Sequence, residues 1–308
     1  MAAKHEAGAR RAIRVTPAAW PRTEQRLGWS LCAPAVGVML AVTALPMLQA
    51  LWLSLQSYRI TDPGSRRFVG LDNYALILAD PLWWHTVGVT LLITAITVSA
   101  ALVIGFALAL VMHRITFGRD MVRTAILVPY GIVTIVSAYA WLYAFRADSG
   151  FVPGWLGVAN YDFFAGFGSS LFVICLSEIW KTTPFVSLLL LAGLAQIPTE
   201  LYEAAKVDGA TARQRLWKIT LPNMRGAIMV AVLFRTLDAY RIFDNVFVMT
   251  GGANGTETVA FLAYRQIISR TAIGLGAAVS VLLFLTVVLI AFVLVKAFRA
   301  DLSRIGHE

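Results

Sequence analysis

The sequence predicts an all-α integral membrane protein with six transmembrane helices, and three observations predict it. Of 308 residues, 58% are hydrophobic and only 14% charged, with mean hydropathy +0.72; a soluble domain carries about a quarter charged residues. Apolar segments at roughly 31–55, 86–112, 123–145, 171–194, 224–249 and 273–298 each supply the ~20 residues that cross a hydrocarbon core. Lysine and arginine crowd alternate loops, so the formal charge of +9 points to a membrane surface and not to nucleic acid.

The elements follow in order. Residues 1–30 form a basic tail holding Lys4, Arg10, Arg11, Arg14, Arg22 and Arg26. The first apolar segment is too long for a cleaved leader and reads as an uncleaved anchor. Leu31 precedes Cys32 where lipidation favours a small residue, and Cys175 sits in an apolar run, so neither cysteine suggests a metal site or a disulfide. Arg114, Arg119 and Arg123 lie between the second and third spans, and Lys206, Arg213, Arg215, Lys218 and Arg225 between the fourth and fifth. Lys296, Arg299 and Arg304 lie at the C-terminal end, where residues 299–308 form a second tail. The other loops hold only Arg59, Arg66, Arg67, Arg146, Arg265 and Arg270. The positive-inside rule therefore puts both termini in the cytoplasm of a multi-pass plasma (inner) membrane protein. No internal repeat is evident, which weakens an inverted-repeat transporter reading.

One cytoplasmic stretch, LYEAAKVDGATARQRLWKITLP at 201–222, is an ordered polar island. Pro198 cannot continue the fourth span, Thr199 is placed to cap, and Glu200 to Val207 reads as a short helix. Asp208-Gly209 reads as a turn with Gly209 left-handed, Thr211 as the cap of a second helix to about Ile219, and Pro222 as the first turn of the next span. Leu201, Tyr202, Ala204, Ala205, Leu216 and Trp217 give the island an apolar surface that a merely solvated loop does not need.

The spaced residues Glu203-Ala204-Ala205, Gly209, Ile219 and Leu221-Pro222 resemble the EAA loop of binding-protein-dependent ABC importer permeases. IWKTTPF at 179–185, GLAQIP at 193–198 and RIFDNVFVMTGG at 241–252 resemble the carbohydrate-uptake, maltose-importer branch. Leu216 departs from the phenylalanine of many members. The resemblance implies a type I ABC importer permease: a transmembrane domain over 31–298 with a coupling loop at 198–222. Glu203, Ala204, Ala205, Asp208, Gly209, Ile219, Leu221 and Pro222 would then engage ATPase subunits. It implies as partners a second homologous permease, two ATPase chains that bind ATP and Mg, an extracytoplasmic sugar-binding (lipo)protein and a disaccharide such as trehalose. No G-x-x-x-x-G-K-[ST] occurs, so this chain itself is expected to hold no cofactor and to be no enzyme. TGGANGT at 250–256 lacks the lysine and reads as a flexible outer turn; its family-like role would be contact with the binding protein.

Charges inside the fourth and fifth spans cost roughly 2.5–3.5 kcal/mol each at a helix centre and belong against protein or a wet cavity. Glu178–Lys181, Asp238–Arg235 and Asp238–Arg241 are spaced as structural pairs. Alternatively, part of the cluster lines a solute pathway. At about 1.5 Å per residue Lys181 and Asp238 reach similar depth near the midplane, with Asn245 on the Asp238 face further out. Tyr139 lies deeper than Trp141 and Tyr143 in the third span and is the candidate stacking face, while Trp83, Trp84, Trp141 and Tyr143 suit the interface. The pathway expectation is therefore Tyr139, Lys181, Asp238 and Asn245. Pro129 and Pro184 are expected to interrupt their helices. His85 and His113 have no metal-ligand spacing. Two other readings compete: an ion-coupled secondary sugar transporter using these charges as a relay, and a structural membrane subunit without a pathway.

Overall fold

The computed structural model describes residues 22–115, 117–158 and 161–305. Residues 1–21 of the expected N-terminal tail and 306–308 of the expected C-terminal tail lie outside the described residues. The chain divides into two compact units, Met1–Gln49 and Ala50–Glu308. The described part of the first unit is helical, the beginning of α1 (Arg22–Ser54), which runs through Pro34 and Pro46.

The second unit opens with the last residues of α1 and a hairpin that the apolar pattern does not reveal. Strands β1 (Gln56–Arg59) and β2 (Asp62–Phe68) pair antiparallel, with Gln56 opposite Phe68. Asn73 of α2 (Asp72–Ala79) fastens this hairpin, donating to the carbonyls of Ser54 and Gln56 at 2.8 and 2.9 Å. Helix α3 (Pro81–Arg114) starts cleanly because the Asp80 side chain accepts from the Leu82 amide at 2.9 Å and Pro81 occupies the first turn. A buried threonine stripe follows: Thr90 donates to the Thr86 carbonyl and Thr94 to that of Thr90, so hydroxyls are satisfied without water.

The expected third span is not straight. Helices α4 (Arg119–Gly131) and α5 (Thr134–Phe145) are bent by 86°. Pro129 removes one backbone donor, and Ile132 leaves the helix with φ −75° and ψ 136°. After the short α6 (Phe151–Trp155), α7 (Phe167–Leu194) runs unbroken through Pro184, so that proline does not interrupt its helix. Helices α3 and α7 form the broadest contact between elements. Gly105 permits it: a Cβ there would lie 3.0 Å from Val186 Cγ1 and 3.3 Å from the Ser187 amide nitrogen.

The island forms α8 (Thr199–Val207), α9 (Ala212–Arg215), a π-turn at Leu216–Thr220 and α10 (Leu221–Asn223). The expected fifth span is also divided. It comprises α11 (Arg225–Ala239), a break at 240–243, and α12 (Asp244–Met249). Phe243 takes φ −134° and ψ −57°, and the buried Ile242 carbonyl accepts from Thr258 Oγ1 at 3.1 Å. Helix α13 (Val259–Tyr264) and a π-turn at Arg265–Ser269 lead to α14 (Ile273–Ile305). Among the described residues four uninterrupted helices are long and apolar enough to span a bilayer, five if the bent pair counts as one. The broken fifth segment accounts for the difference from six.

Packing is layered along the second unit. One cluster around Ile93, Val173, Ile174 and Val246 joins α3, α5, α7 and α12. Another around Met112, Val186, Leu190 and Met224 sits at the island end and takes in Tyr202 and Ile219. Large apolar side chains such as Val103, Leu285 and Phe292 remain exposed, as lipid contact requires.

Candidate functional site

A cavity of about 720 Å³ opens where the two broken spans meet α7. Helix α7 contributes Glu178, Lys181, Thr182 and Phe185, three or four residues apart and thus on one face. Helix α11 contributes Phe234, Arg235 and Asp238, and Asp244 and Asn245 begin α12. Tyr130 and Thr134 enter from either side of the bend between α4 and α5.

A network organises this lining. Arg235, only 2% exposed, donates from Nη2 to Glu178 Oε1 at 3.0 Å and from Nη1 to Asp238 Oδ2 at 2.8 Å. Asn245 Nδ2 donates to the other Glu178 oxygen at 2.7 Å. Glu178 is buried, whereas 69% of the Asp238 side chain is exposed. One carboxylate therefore anchors the guanidinium and the second faces open space. Two buried polar atoms, Arg235 Nε and Asn245 Oδ1, have no hydrogen-bond partner among the described residues; water or a solute hydroxyl would satisfy them. The lining holds three carboxylates, Glu178, Asp238 and Asp244, and three cations, Lys181, Arg235 and Arg241, so its formal charges balance.

Lys181, Asp238 and Asn245 are thus brought into one cavity, but not as directly paired groups. Asp238 bonds Arg235, and Lys181 donates to the Ile132 carbonyl. Glu178 pairs with Arg235 of α11, not with Lys181 of its own helix, because the guanidinium reaches both carboxylates at once. Tyr139 stays outside. It is half exposed on α5 and stacks against Tyr143 with centroids 6.4 Å apart. The aromatic lining is instead Tyr130, Phe185, Phe234 and Phe243. Tyr130 and Phe185 lie parallel within 13° at 5.2 Å. Tyr130 had one visible signal, its place beside Pro129. Among the described residues no cluster of His, Cys, Asp or Glu is arranged to hold a metal ion.

The island is built differently. Gly209 adopts φ +73°, and the amides of Gly209 and Ala210 donate to the carbonyls of Lys206 and Ala205, a Schellman closure. Thr199 is the first helical residue and not the cap; Pro198 holds the cap position with no side-chain bond. Thr211 and Gln214 form a capping box, each side chain bonding the other's backbone amide at 2.7 and 3.3 Å. Arg215 Nη1 clamps the Ala210 carbonyl at 2.9 Å, and Tyr202 OH bonds Thr220 Oγ1 at 3.0 Å, joining the two short helices. Glu203, Ala204, Asp208, Gly209 and Pro222 are exposed; Ala205, Ile219 and Leu221 are half-buried. Val207 at 88% and Trp217 at 63% exposure leave an exposed apolar surface on the island.

At the opposite end the TGGANGT segment is tied and not a free turn. Asn254 Nδ2 donates to the Phe164 carbonyl at 2.6 Å, His85 Nε2 meets the Gly255 carbonyl at 3.0 Å, and Thr250 and Thr256 share a 2.7 Å bond. Beside it Glu257 is buried against Arg265 at 2.8 Å. Burial pushes its carboxyl above the usual range, opposed by Arg265, Arg270 and His85.

A sequence profile described as "Binding-protein-dependent transport system inner membrane component" matches residues 101–304. The chain is 50% identical over 277 residues to the trehalose transport system permease protein SugA of Mycobacterium tuberculosis (strain ATCC 25618 / H37Rv), covering 90% of each. It is 35% identical over 285 residues to the trehalose/maltose transport system permease protein MalF of Thermococcus litoralis, covering 90% of this chain and 96% of that one. In fold it is similar to a chain in the crystal structure of a bacterial ABC transporter involved in the import of the acidic polysaccharide alginate. The TM-score is 0.78 at 20% identity, covering 90% of this chain and 96% of that chain.

Proposed function

The chain belongs to the family of binding-protein-dependent transport system inner membrane components, and on that premise we propose that it forms half of the pathway of an ATP-driven importer of a neutral disaccharide such as trehalose. It is a permease subunit and not an enzyme, and the family has no place for the ion-coupled alternative. The observation that carries the substrate class is the cavity lining. Three cations balance three carboxylates, aromatic faces lie beside them, and two buried polar atoms remain unpartnered. Such a surface suits an uncharged polyhydroxy solute, since flat apolar faces hold the ring and polar groups fix hydroxyls. The half-identity to a trehalose permease supports trehalose among such solutes.

In this reading Lys181, Asp238 and Asn245 belong to the pathway and Tyr139 leaves it. The island, with Glu203, Ala204, Ala205, Asp208, Gly209, Ile219, Leu221 and Pro222, docks an ATPase subunit that binds ATP and Mg. A second homologous permease completes the pathway, and an extracytoplasmic sugar-binding (lipo)protein delivers the sugar at the tied outer loop. The loop charges support placing both termini in the cytoplasm.

The test is uptake by the purified complex in vesicles against a panel of neutral and anionic disaccharides, with the wild type beside Asp238→Asn. Trehalose uptake is expected in the wild type, and a loss of at least tenfold in the variant at matched abundance. Preference for an anionic sugar overturns the substrate class; unchanged uptake in Asp238→Asn removes that residue from the pathway.

A further inference from the structure

The bend in the third span is held by a residue of another helix. Ile132 lies at the C-terminal end of α4, where carbonyls are left without helical partners and carry partial negative charge. The buried ammonium of Lys181, 49 positions later on α7, donates to the Ile132 carbonyl. Tyr130, two residues before Ile132, stacks on Phe185, one turn beyond Lys181. Both fastenings face the cavity: Tyr130, Thr134, Lys181 and Phe185 all line it.

The ammonium is not otherwise committed. It has three N–H donors, and among the described residues its Nζ makes no hydrogen bond besides the one to Ile132. The nearest carboxylate along its own helix, Glu178, is occupied by Arg235 and Asn245. Two donors are therefore available to whatever enters the cavity.

We propose that Lys181 is a positioning residue, a strut that makes the bend between α4 and α5 sensitive to cavity contents. A hydroxyl oxygen of an entering neutral sugar accepts an N–H from the same ammonium that fixes the Ile132 carbonyl. Occupancy and bend angle then share one group. In this proposal the bend is the two-state element: because moving the Ile132 carbonyl moves the ammonium, the bond to the sugar differs in strength between bend angles and so biases them. This inference rests on the pathway reading above.

Spin labels at Val128→Cys on α4 and Val136→Cys on α5, both exposed, report the distance across the bend. They are read in the reconstituted complex with Cys32→Ser, the binding protein and ATP, with and without saturating trehalose. Trehalose is expected to shift the distribution in the wild type. Lys181→Met is expected to broaden it about twofold and abolish the shift, and Lys181→Arg, which keeps donors at the carbonyl, to restore the narrow form. A purely structural lysine would show the Met broadening with no sugar shift in the wild type, and that result overturns the proposal without needing any variant to fold. An unbroadened Lys181→Met also overturns it. Uptake by the same vesicles separates the failures. Uptake with an unmoved distance sinks the strut alone, whereas no uptake of any disaccharide sinks the pathway reading and the strut with it.

Discussion

The cavity and the docking island hold their shapes by opposite means. The cavity is organised by side chains far apart in sequence: Arg235 reaches Glu178 across 57 residues and Asn245 reaches it across 67. The island is organised by backbone turns and caps that close within about one helical turn, at Gly209 and at Thr211–Gln214. The first is a desolvated ionic network whose loss leaves a charge stranded. The second is a local conformation whose loss re-aims a surface. Damage to the cavity should therefore appear as instability or lost cargo handling, and damage to the island as lost coupling in an intact protein.

The largest effect tests the buried pair. Arg235→Met strands Glu178 and should cost about 3–5 kcal/mol, seen as loss of assembled complex or a lowered Tm in detergent. Adding Glu178→Gln should recover a large part of that cost, because neither charge is then left alone. A double variant as unstable as the single one would mean that the pair does not hold the site.

Next is the turn. Gly209→Val should strain the backbone by about 1–2 kcal/mol. Nothing lies within 4 Å of a Cβ at this position, so the strain is conformational and not a clash. Uptake and sugar-stimulated ATP hydrolysis should fall together while membrane insertion persists. Gly209→Asn, which tolerates the left-handed region, should retain most of both. Equal loss in Val and Asn would show that the residue does more than set the turn.

Smaller still, Tyr202→Phe removes one bond between the short helices and should cost about 0.5–1.5 kcal/mol, read as lower coupling at elevated temperature. The smallest effect is a pH dependence at the outer loop. The folded Glu257 carboxyl holds its proton more tightly than the unfolded chain does. Ionisation therefore costs stability as pH rises through the raised value, and acidification should stabilise the loop. Hydrogen exchange of amides 250–258, corrected for intrinsic rates, should slow toward acid pH in the wild type and flatten in Glu257→Gln.

The same contrast explains what the sequence could reveal. The island's turn and second cap were legible because Gly209 and Thr211 act on neighbours only a few positions away. The apolar segments were legible as membrane crossings, and Pro129 marks the interruption of the third, though not its 86° angle. The break at 240–243 carries no proline or glycine, so only backbone angles record it. In the cavity the charged residues could be named, yet Arg235's choice of Glu178 depends on how α7 and α11 are brought together. Depth along a straight helix singles out Tyr139 over Trp141 and Tyr143, and the 86° bend removes that premise. The hairpin at 56–68 has no apolar signature, since its fastening is one asparagine, Asn73, bonded to two carbonyls.

The bend also bears on how the protein is made. Helices α4 and α5, with 13 and 12 residues, are each shorter than the ~20 residues of a self-sufficient stop in the bilayer. The carbonyl between them meets its donor, Lys181, only after 49 more residues have been synthesised. At about 5–20 residues per second, the third span spends roughly 2–10 s at the translocon with its middle unsatisfied. Its release into lipid should accordingly wait for α7, so that these two segments leave as a pair. A chain arrested before Lys181 should remain crosslinkable to the insertion machinery, and one arrested well beyond α7 should not.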